Sequence, residues 1–250
     1  MSEHEIAGAT ALVTGASRGF GRAIAAALSR AGAQVVGVAR DRAALEELRA
    51  ELDGSFTPVP ADAADPVVAG ELIDRYRPGV LVLNAGATPL PRPVQHHTWQ
   101  TFSRNWDVDV AQAFHWTREA LLAPLAPGST VITLSSGAAL RGSPLSGGYA
   151  GAKAAIRWLT VYAAEESRRA GLGIRFVALL PTLTPATALG AVYTAAYAAR
   201  QGTDEAAYAG AAGPPLTPEQ AGQAVTDLVS GDAYDQDAYV LSGAGLRPLP

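Results

Sequence analysis

The chain has 250 residues, a formal net charge of −4 and no cysteine. This length suits one α/β domain over residues 1–250, and the mildly acidic balance gives no general attraction to nucleic acid. The lack of cysteine excludes disulfides, thiolate nucleophiles and cysteine-ligated metals. Residues 1–8 hold no apolar run and no stretch has spanning character, so we expect a cytoplasmic protein with no signal peptide, membrane helix or nucleic-acid partner.

Short apolar runs recur along the chain and predict its strands. They are rich in Val, Ile and Leu and are bounded by Gly, Pro or Asn, which is typical of strands buried in a parallel sheet. The third run has the weakest pattern. The predicted strands are Thr10–Val13, Gln34–Val38, Phe56–Val59, Val80–Leu83, Ser129–Leu134, Ile174–Leu180 and Tyr239–Leu241.

Longer amphipathic stretches separate these runs and predict helices. Alternating strands and helices indicate an α/β fold with a Rossmann-type, doubly wound parallel sheet. The segment 184–215, rich in Ala, Thr, Gly and Pro, is too short for a core of its own, and we predict a partly helical lid there. The predicted helices are Gly21–Ala31, Arg42–Leu52, Val67–Tyr76, Trp99–Leu122, Tyr149–Ala170 and a last one from Thr217 to about Val229.

The first predicted strand runs directly into a glycine-rich turn of sequence T-G-A-S-R-G-F-G. Glycines at this junction let the chain turn sharply and bring backbone N–H groups and a helix N-terminus against a pyrophosphate. Turns use glycine freely, so the position between the first strand and the first helix carries the argument. The predicted cofactor-binding residues of the turn are Gly15, Ser17, Arg18, Gly19, Phe20 and Gly21.

This turn resembles the cofactor turn of the short-chain dehydrogenase/reductase family, and further family motifs follow in order over roughly residues 8–241. Asn84-Ala85-Gly86 ends the fourth strand like the family's N-A-G motif, and Ser136 precedes a Y-x-x-x-K pattern by 13 residues. The resemblance implies an oxidoreductase that uses a nicotinamide cofactor on a small ketone or secondary alcohol and assembles as a homodimer or homotetramer. It also implies cofactor contacts at Asp62, Ala63, Asn84, Ala85, Gly86, Tyr149, Lys153, Pro181, Thr182 and Thr184.

Tyr149 and Lys153 form the Y-x-x-x-K pattern and share one helix face. Lys153 is the only lysine beside 18 arginines, which indicates a position that needs an ammonium, although chance survival is the alternative. A free tyrosine has a pKa of ~10 and is a poor base, but a nearby ammonium favours the phenolate. The resemblance makes Tyr149 the acid/base, Ser136 a hydrogen-bond partner of the same substrate oxygen, and Lys153 the residue that holds the nicotinamide ribose.

The end of the second predicted strand bears on the choice between NADP and NAD. An acidic residue there binds the ribose 2′-hydroxyl of NAD, whereas arginine accommodates the 2′-phosphate of NADP. The sequence has Ala39 at this position and Arg40 after it, and Arg18 can approach the phosphate from the turn. Both arginines could be ordinary surface residues, and the acidic Asp41, directly after Arg40, fits an alignment shifted by one residue. We nevertheless predict NADP over NAD.

Two positions depart from the family pattern. Asp109 stands where the family's fourth catalytic residue, an asparagine, is expected, while Asn105 lies one helical turn earlier and does not fit the alignment. A buried Asp109 carboxylate could pair with Lys153, so we predict reduced or pH-shifted activity. Pro181-Thr182 replaces a Pro-Gly pair, and threonine lacks the freedom of glycine at positive φ.

The lid is expected to cover a substrate pocket at the carboxyl edge of the sheet. Its Tyr193, Tyr197 and Tyr208 either line this pocket or pack at the surface, and the largely uncharged lid favours a neutral or weakly polar ketone or alcohol. The adjacent His96 and His97 do not share a helix face, so no metal site is predicted. The aromatic residues predicted either for an interface between copies or for the core are Trp106, Phe114, Trp116, Trp158 and Tyr162.

Two other functions remain open from the sequence. One is an NADP-binding sensor without turnover, which Asp109 and Thr182 favour. The other is a lyase or epimerase on the same scaffold, although dehalogenase-type relatives lose the glycine turn that is intact here, and epimerases usually have longer chains.

Overall fold

The computed structural model describes residues 6–211, 213–231 and 234–249, and its described strands form one sheet. The spatial order is β3-β2-β1-β4-β5-β6-β7-β8, with β1 to β7 parallel and β8 antiparallel to β7. The order reverses between β1 and β4, so the predicted doubly wound sheet is confirmed. The strands are β1 (Thr10–Thr14), β2 (Gln34–Ala39), β3 (Phe56–Pro60), β4 (Val80–Leu83), β5 (Thr130–Leu134), β6 (Arg175–Pro181), β7 (Ala238–Ser242) and β8 (Gly245–Pro248).

Helices follow the strands and cover both faces of the sheet. Asp41 and Asp65 cap the N-termini of α2 and α3 by accepting backbone N–H bonds, and Gly171 ends α6 at φ +62. The helices are α1 (Gly19–Arg30), α2 (Arg42–Glu51), α3 (Pro66–Tyr76), α4 (Trp99–Asn105), α5 (Ala111–Leu122), α6 (Gly148–Ala170), α7 (Ala188–Gln201), α8 (Glu205–Ala211) and α9 (Pro218–Ser230). None of them is long and apolar enough to cross a membrane.

The predicted helix over residues 99–122 is interrupted. Helix α4 continues through a π-helical turn, Trp106–Val110, into α5. A π-turn widens the helix by one residue and is frequent at functional sites. Asp109 lies within it, so the interruption falls at the position where the sequence departs from the family pattern.

The core has one apolar layer on each face of the sheet. One layer contains α1 and α9. These two helices approach closely at Gly222, where a Cβ would lie 2.7 Å from the carbonyl oxygen of Ala23. The other contains Trp116, which is fully buried and donates its indole N–H to the carbonyl oxygen of Ala63 at 2.8 Å. The interpretation of Trp116 as an interface residue is therefore wrong, since its side chain completes the core and leaves nothing for a second chain to contact.

The hairpin of β7 and β8 was not predicted. Ser242 pairs with Gly245, so only Gly243 and Ala244 connect the strands. A two-residue turn that begins with glycine is a typical hairpin signal, and the sequence S-G-A-G contains it. The hairpin adds one antiparallel strand at the sheet edge and does not alter the carboxyl ends of β1, β4 and β5, where the site lies.

Candidate active site

The glycine turn after β1 has no room for side chains at two of its positions. Gly15 has φ +69, and a Cβ there would lie 2.7 Å from the side-chain nitrogen of Asn84. A Cβ on Gly21 would overlap the carbonyl oxygen of Gly15 and the same Asn84 amide. These contacts hold the turn against β4 and leave the N-terminus of α1 free for an anionic group such as a pyrophosphate.

Asn84 and Thr14 join the turn to the end of β4. The Asn84 amide donates to the carbonyl oxygens of Thr14 and Gly15 at 3.1 and 3.2 Å. The Thr14 hydroxyl accepts from the backbone N–H groups of Asn84 and Ala85 at 2.9 and 3.1 Å. Asn84 thus orders the cofactor turn through this chain's own atoms, a structural role that its motif alone did not specify.

The residues that follow β2 face solvent beside this turn. Ala39 ends the strand without a carboxylate, and Arg40 and Arg18 are both exposed. Asp41, which confused the sequence count, accepts the backbone N–H of Ala44 at 3.1 Å as the N-cap of α2. One of its carboxylate oxygens is thereby used in the helix cap, and Arg18 and Arg40 add two exposed guanidiniums to this edge.

The residues that follow β3 also lie at this edge. Asp62 is exposed, and its carboxylate accepts the backbone N–H of Ala64 at 3.0 Å. Ala63 is buried, and its carbonyl oxygen receives the Trp116 indole N–H. The Ala63 carbonyl oxygen is thereby used within the chain, and the cofactor contact predicted for Asp62 and Ala63 stays a prediction.

The buried end of β5 fixes the position of α6. The Ser135 hydroxyl donates to the carbonyl oxygen of Lys153 at 2.7 Å, and Thr133 and Thr160 share a hydrogen bond of 2.7 Å. Ser136 follows at the strand's end, where its half-buried hydroxyl accepts the backbone N–H of Ala138 at 3.2 Å. The structure therefore holds Ser136 and the helix that carries Tyr149 in one rigid unit.

The N-terminus of α6 packs tightly because two glycines precede Tyr149. Gly147 has φ +52, and a Cβ there would lie 2.6 Å from Nε2 of His97. A Cβ on Gly148 would overlap the carbonyl oxygen of Phe102 in α4. Sequence reasoning did not use this Gly-Gly pair, although its position directly before Tyr149 was the available signal.

Lys153 is almost completely buried, with 6% of its surface exposed. Its ammonium lies 5.7 Å from the centre of the Tyr149 ring and donates to the carbonyl oxygen of Leu134 at 3.0 Å. It also forms an ion pair of 3.2 Å with the Asp109 carboxylate, which is 1% exposed. Because an ammonium has three donors, one N–H remains for a ribose hydroxyl.

The charge state of Lys153 follows from these neighbours. Burial alone lowers the pKa of Lys153, but the Asp109 carboxylate and then Tyr149 outweigh it and hold the pKa above its usual value. Lys153 is therefore a permanent cation at neutral pH. Its charge is shared between the carboxylate that pairs with it and the phenol beside it.

Asn105 is a site residue that sequence reasoning set aside. It is buried, and its amide donates to the Asp109 carboxylate at 3.2 Å and to the carbonyl oxygen of Ala87 at 2.9 Å. The backbone N–H of Ala87 donates to the same carboxylate at 2.8 Å. A Cβ on Gly86 would lie 2.7 Å from Asp109, so the glycine of the N-A-G motif makes space for this carboxylate.

The chain after β6 closes the site from the other side. The backbone N–H of Thr182, the residue after Pro181, donates to the carbonyl oxygen of Leu241 at 2.8 Å, and Thr182 does not adopt a positive φ. The threonine therefore needs none of glycine's conformational freedom here. Thr184 is buried and donates its hydroxyl to the carbonyl oxygen of Leu216 at 2.5 Å, so this hydroxyl is committed to the chain.

The segment predicted as a lid contains α7 and α8, with residue 212 outside the described residues. Tyrosines form a continuous row from Tyr149 into this segment, with ring centres 6.1 Å apart at Tyr149–Tyr193, 5.9 Å at Tyr193–Tyr197 and 5.6 Å at Tyr197–Tyr208. The Tyr197 hydroxyl is hydrogen-bonded to Ser143, which precedes α6. The lid tyrosines thus contact the residue proposed for acid/base work.

Among the described residues, no group of three or more His, Asp or Glu side chains could hold a metal ion. His96 is exposed, whereas the His97 ring packs against Gly147 and is hydrogen-bonded to Thr101 at 3.2 Å. The two imidazoles therefore occupy different environments, in line with the argument that adjacent residues do not face the same way.

Known proteins resemble this chain in sequence. A family model described as short chain dehydrogenase matches residues 9–198. The L-xylulose reductase of Bos taurus is 35% identical over 164 residues, which are 64% of this chain and 66%, just under two thirds, of that protein.

Two solved structures resemble the whole chain. A 3-ketoacyl-(acyl-carrier-protein) reductase from Brucella melitensis, complexed with NADH, has a TM-score of 0.79 and 25% identity and covers 95% of this chain and 98% of its own. A protein from Beutenbergia cavernae, assigned as an NAD(P)-dependent gluconate 5-dehydrogenase and containing NADP, has a TM-score of 0.76 and 32% identity, with 94% of each chain covered.

Proposed function

Because the chain belongs to the short-chain dehydrogenase/reductase family, we propose that it is an NADP-dependent oxidoreductase that interconverts a small ketone and a secondary alcohol. The observation that carries this proposal is the buried Lys153 ammonium beside the ring of Tyr149, at the carboxyl ends of β4 and β5. The reductases among its relatives support the same reaction class.

The glycine turn fits a nicotinamide dinucleotide. Gly15 and Gly21 let the turn pack tightly against Asn84, since a Cβ at either position would clash with this chain's own atoms, and the α1 N-terminus opens beside the turn. Lys153 has one N–H left for the nicotinamide ribose, and the backbone at Asn84 to Gly86 borders the same space. When bound, the nicotinamide supplies or accepts the hydride.

Tyr149 is proposed to move the proton. Its phenol donates a proton to the ketone oxygen during reduction, and its phenolate removes the hydroxyl proton of the alcohol during oxidation. Ser136 donates a hydrogen bond to the same oxygen and orients the carbonyl. Lys153 stabilises the phenolate by its charge, which makes proton removal easier at a given pH.

Asp109 is proposed to weaken the stabilisation of the Tyr149 phenolate by Lys153. Its carboxylate pairs with Lys153 at 3.2 Å and is held there by Ala87 N–H and Asn105. A negative charge beside the ammonium reduces the field that Tyr149 experiences. We therefore propose that the enzyme works with a pH profile displaced towards alkaline values in the direction of alcohol oxidation.

The preference for NADP over NAD rests on Arg18, Ala39, Arg40 and Asp62, which we propose face the adenosine of the cofactor and call the adenosine edge. Arg18 and Arg40 are exposed there, Ala39 brings no carboxylate, and Asp41 is committed to the cap of α2. Two guanidiniums suit a dianionic 2′-phosphate. Asp62 is proposed to contact the adenine at the same edge.

We also propose that copies of the chain form a homodimer or homotetramer. Four aromatic side chains are exposed on the segment 99–122 and on α6, which are proposed to associate: Trp106 (42%), Phe114 (47%), Trp158 (50%) and Tyr162 (57%). Sedimentation analysis with and without Trp158→Glu tests this assembly. A monomeric wild-type protein contradicts it.

Titration of the purified protein with NADPH and NADH, followed by a panel of ketones, tests the proposed reaction. We expect tighter binding of NADPH and its oxidation by at least one ketone. Tight binding without turnover on any ketone or alcohol favours the sensor function instead. Binding of neither cofactor contradicts the assignment of the glycine turn.

A further inference from the structure

Tyr193 in helix α7 carries a hydroxyl that the protein itself does not use. The residue is 4% exposed, and its hydroxyl has no hydrogen-bond partner among the described residues. A buried polar group without a partner is unfavourable and rare in native proteins, and it points to a missing ligand. The neighbouring tyrosine of the same helix differs, since the Tyr197 hydroxyl is bonded to Ser143.

The unpaired hydroxyl lies next to the proposed proton donor. The rings of Tyr193 and Tyr149 are 6.1 Å apart and inclined by 37°. Burial, and then the neighbouring Tyr149 and Tyr197, raise the pKa of Tyr193 well above its usual value, so its phenol remains protonated. It is therefore a permanent neutral donor and acceptor in the same environment as Tyr149.

We propose that Tyr193 hydrogen-bonds a second oxygen of the substrate, and that the substrate is a neutral hydroxyketone whose hydroxyl lies on a carbon next to the reacting carbonyl. This inference rests on the proposed ketone reduction and adds the substrate class to it. One such molecule gives its carbonyl oxygen to Tyr149 and its hydroxyl to Tyr193.

This role requires a small molecule that reaches both phenols, whose ring centres are 6.1 Å apart. Hydrogen bonds of about 2.8 Å at each end let one hydroxyketone bridge two phenol oxygens that lie up to roughly 8 Å apart. A plain ketone of the same size would bind with the Tyr193 hydroxyl still unpaired, which is the situation in which enzymes discriminate strongly against an analogue.

The charge distribution favours a neutral second group. Residues 184–199, which include the part of α7 that carries Tyr193 and Tyr197, contain no charged side chain, and the first charge is Arg200. The nearby ammonium of Lys153 is already paired with Asp109. A carboxylate at the second oxygen's position would therefore find no cation among residues 184–199 to balance it.

A matched pair of ketones tests the proposal directly. 3-Hydroxybutan-2-one and 3-methylbutan-2-one differ only by a hydroxyl in place of a methyl group. We expect the wild-type protein with NADPH to favour the hydroxyketone in kcat/KM by about tenfold or more. In Tyr193→Phe this ratio falls to near one. The control Tyr208→Phe, the same change further along the tyrosine row, keeps the wild-type ratio.

The outcomes separate this proposal from the function on which it rests. A wild-type enzyme that reduces both ketones equally, or a Tyr193→Phe variant that keeps the preference or loses both activities by the same factor, overturns the role of Tyr193 but not ketone reduction. If neither ketone is reduced, the affinities of butane-2,3-diol and 3-methylbutan-2-ol for the NADP-loaded protein decide. Tighter binding of the diol that Tyr193→Phe abolishes supports the proposal, and equal binding overturns it.

Discussion

The glycine turn and the lid border the same site, but their polar atoms are paired in different ways. At the turn, the Asn84 amide and the Thr14 hydroxyl are bonded to backbone atoms of this chain. In the lid, the Tyr193 hydroxyl is buried without a partner among the described residues. A region whose polar atoms are paired within the chain has its geometry fixed before any ligand binds. A region with an unpaired polar atom completes its hydrogen bonding only when a ligand binds.

Tyr149 stands between the two regions, and its removal should have the largest effect. We expect Tyr149→Phe to lower kcat by about 10³-fold, since general acid–base catalysis contributes roughly 10²–10⁴-fold. Binding of NADPH, measured by fluorescence titration, should be retained because the turn is untouched. Tyr162→Phe, at an exposed position of the same helix, is the control. A Tyr149→Phe variant with more than a tenth of wild-type turnover would exclude Tyr149 as the proton donor.

Gly21→Ala attacks the turn itself and should have the next largest effect. The new Cβ overlaps the Gly15 carbonyl oxygen and the Asn84 amide, so the turn must shift. We expect a loss of about 1–3 kcal/mol in the free energy of unfolding and weaker NADPH binding. Gly70→Ala is a matched control in α3, where the nearest atom is 3.8 Å from the new Cβ. Equal NADPH affinity in both variants would show that the turn does not hold the cofactor.

Asp109→Asn should alter the pH profile of alcohol oxidation. The pKa of Lys153 is raised in the folded protein, so its contribution to stability is complete below the unfolded value of ~10.4 and is lost only as the pH rises above it. Between pH 6 and 9 Lys153 therefore stays charged in the wild-type protein.

We expect the midpoint of the pH profile of alcohol oxidation to fall by about one pH unit in Asp109→Asn, because the amide no longer neutralises the Lys153 ammonium. Initial rates of alcohol oxidation measured across this range give the midpoint. Asp107→Asn is the same change in the same π-turn, at an exposed side chain, and should leave the midpoint in place. If Asp109→Asn also leaves it unchanged, Asp109 is only a structural partner of Lys153.

The sequence predicted the parts of the molecule that depend on local pattern. The strands β1 to β7 and the position of the glycine turn follow from apolar periodicity and from glycine placement, and both lie where they were expected. The sequence did not predict the role of Asn105 or the π-turn, and it left Trp116 undecided between the core and an interface, because each depends on contacts between distant segments, such as the indole of Trp116 with Ala63.

Asn105 shows why alignment alone was insufficient. The motif comparison favoured Asp109, and the structure indeed places Asp109 against Lys153. The same comparison discarded Asn105, yet its amide bonds the Asp109 carboxylate from one helical turn away. Neighbours at i and i+4 on a helix were the available physical signal.

Arg40→Ala tests the adenosine edge and should have the smallest effect. Arg40 is exposed, so its contact with a 2′-phosphate is screened by solvent and salt and is worth about 1 kcal/mol, or roughly fivefold in affinity. We expect the ratio of NADPH to NADH affinity to fall by this factor at low salt and by less at high salt. Arg42→Ala, two residues further on at another exposed arginine, should leave the ratio in place. If both variants lower the ratio equally, the preference for NADPH comes from the general charge of this edge. The contrast between the glycine turn and the lid would then change. Local contacts would fix the cofactor only at the glycine turn, and its adenosine end would depend on long-range charge.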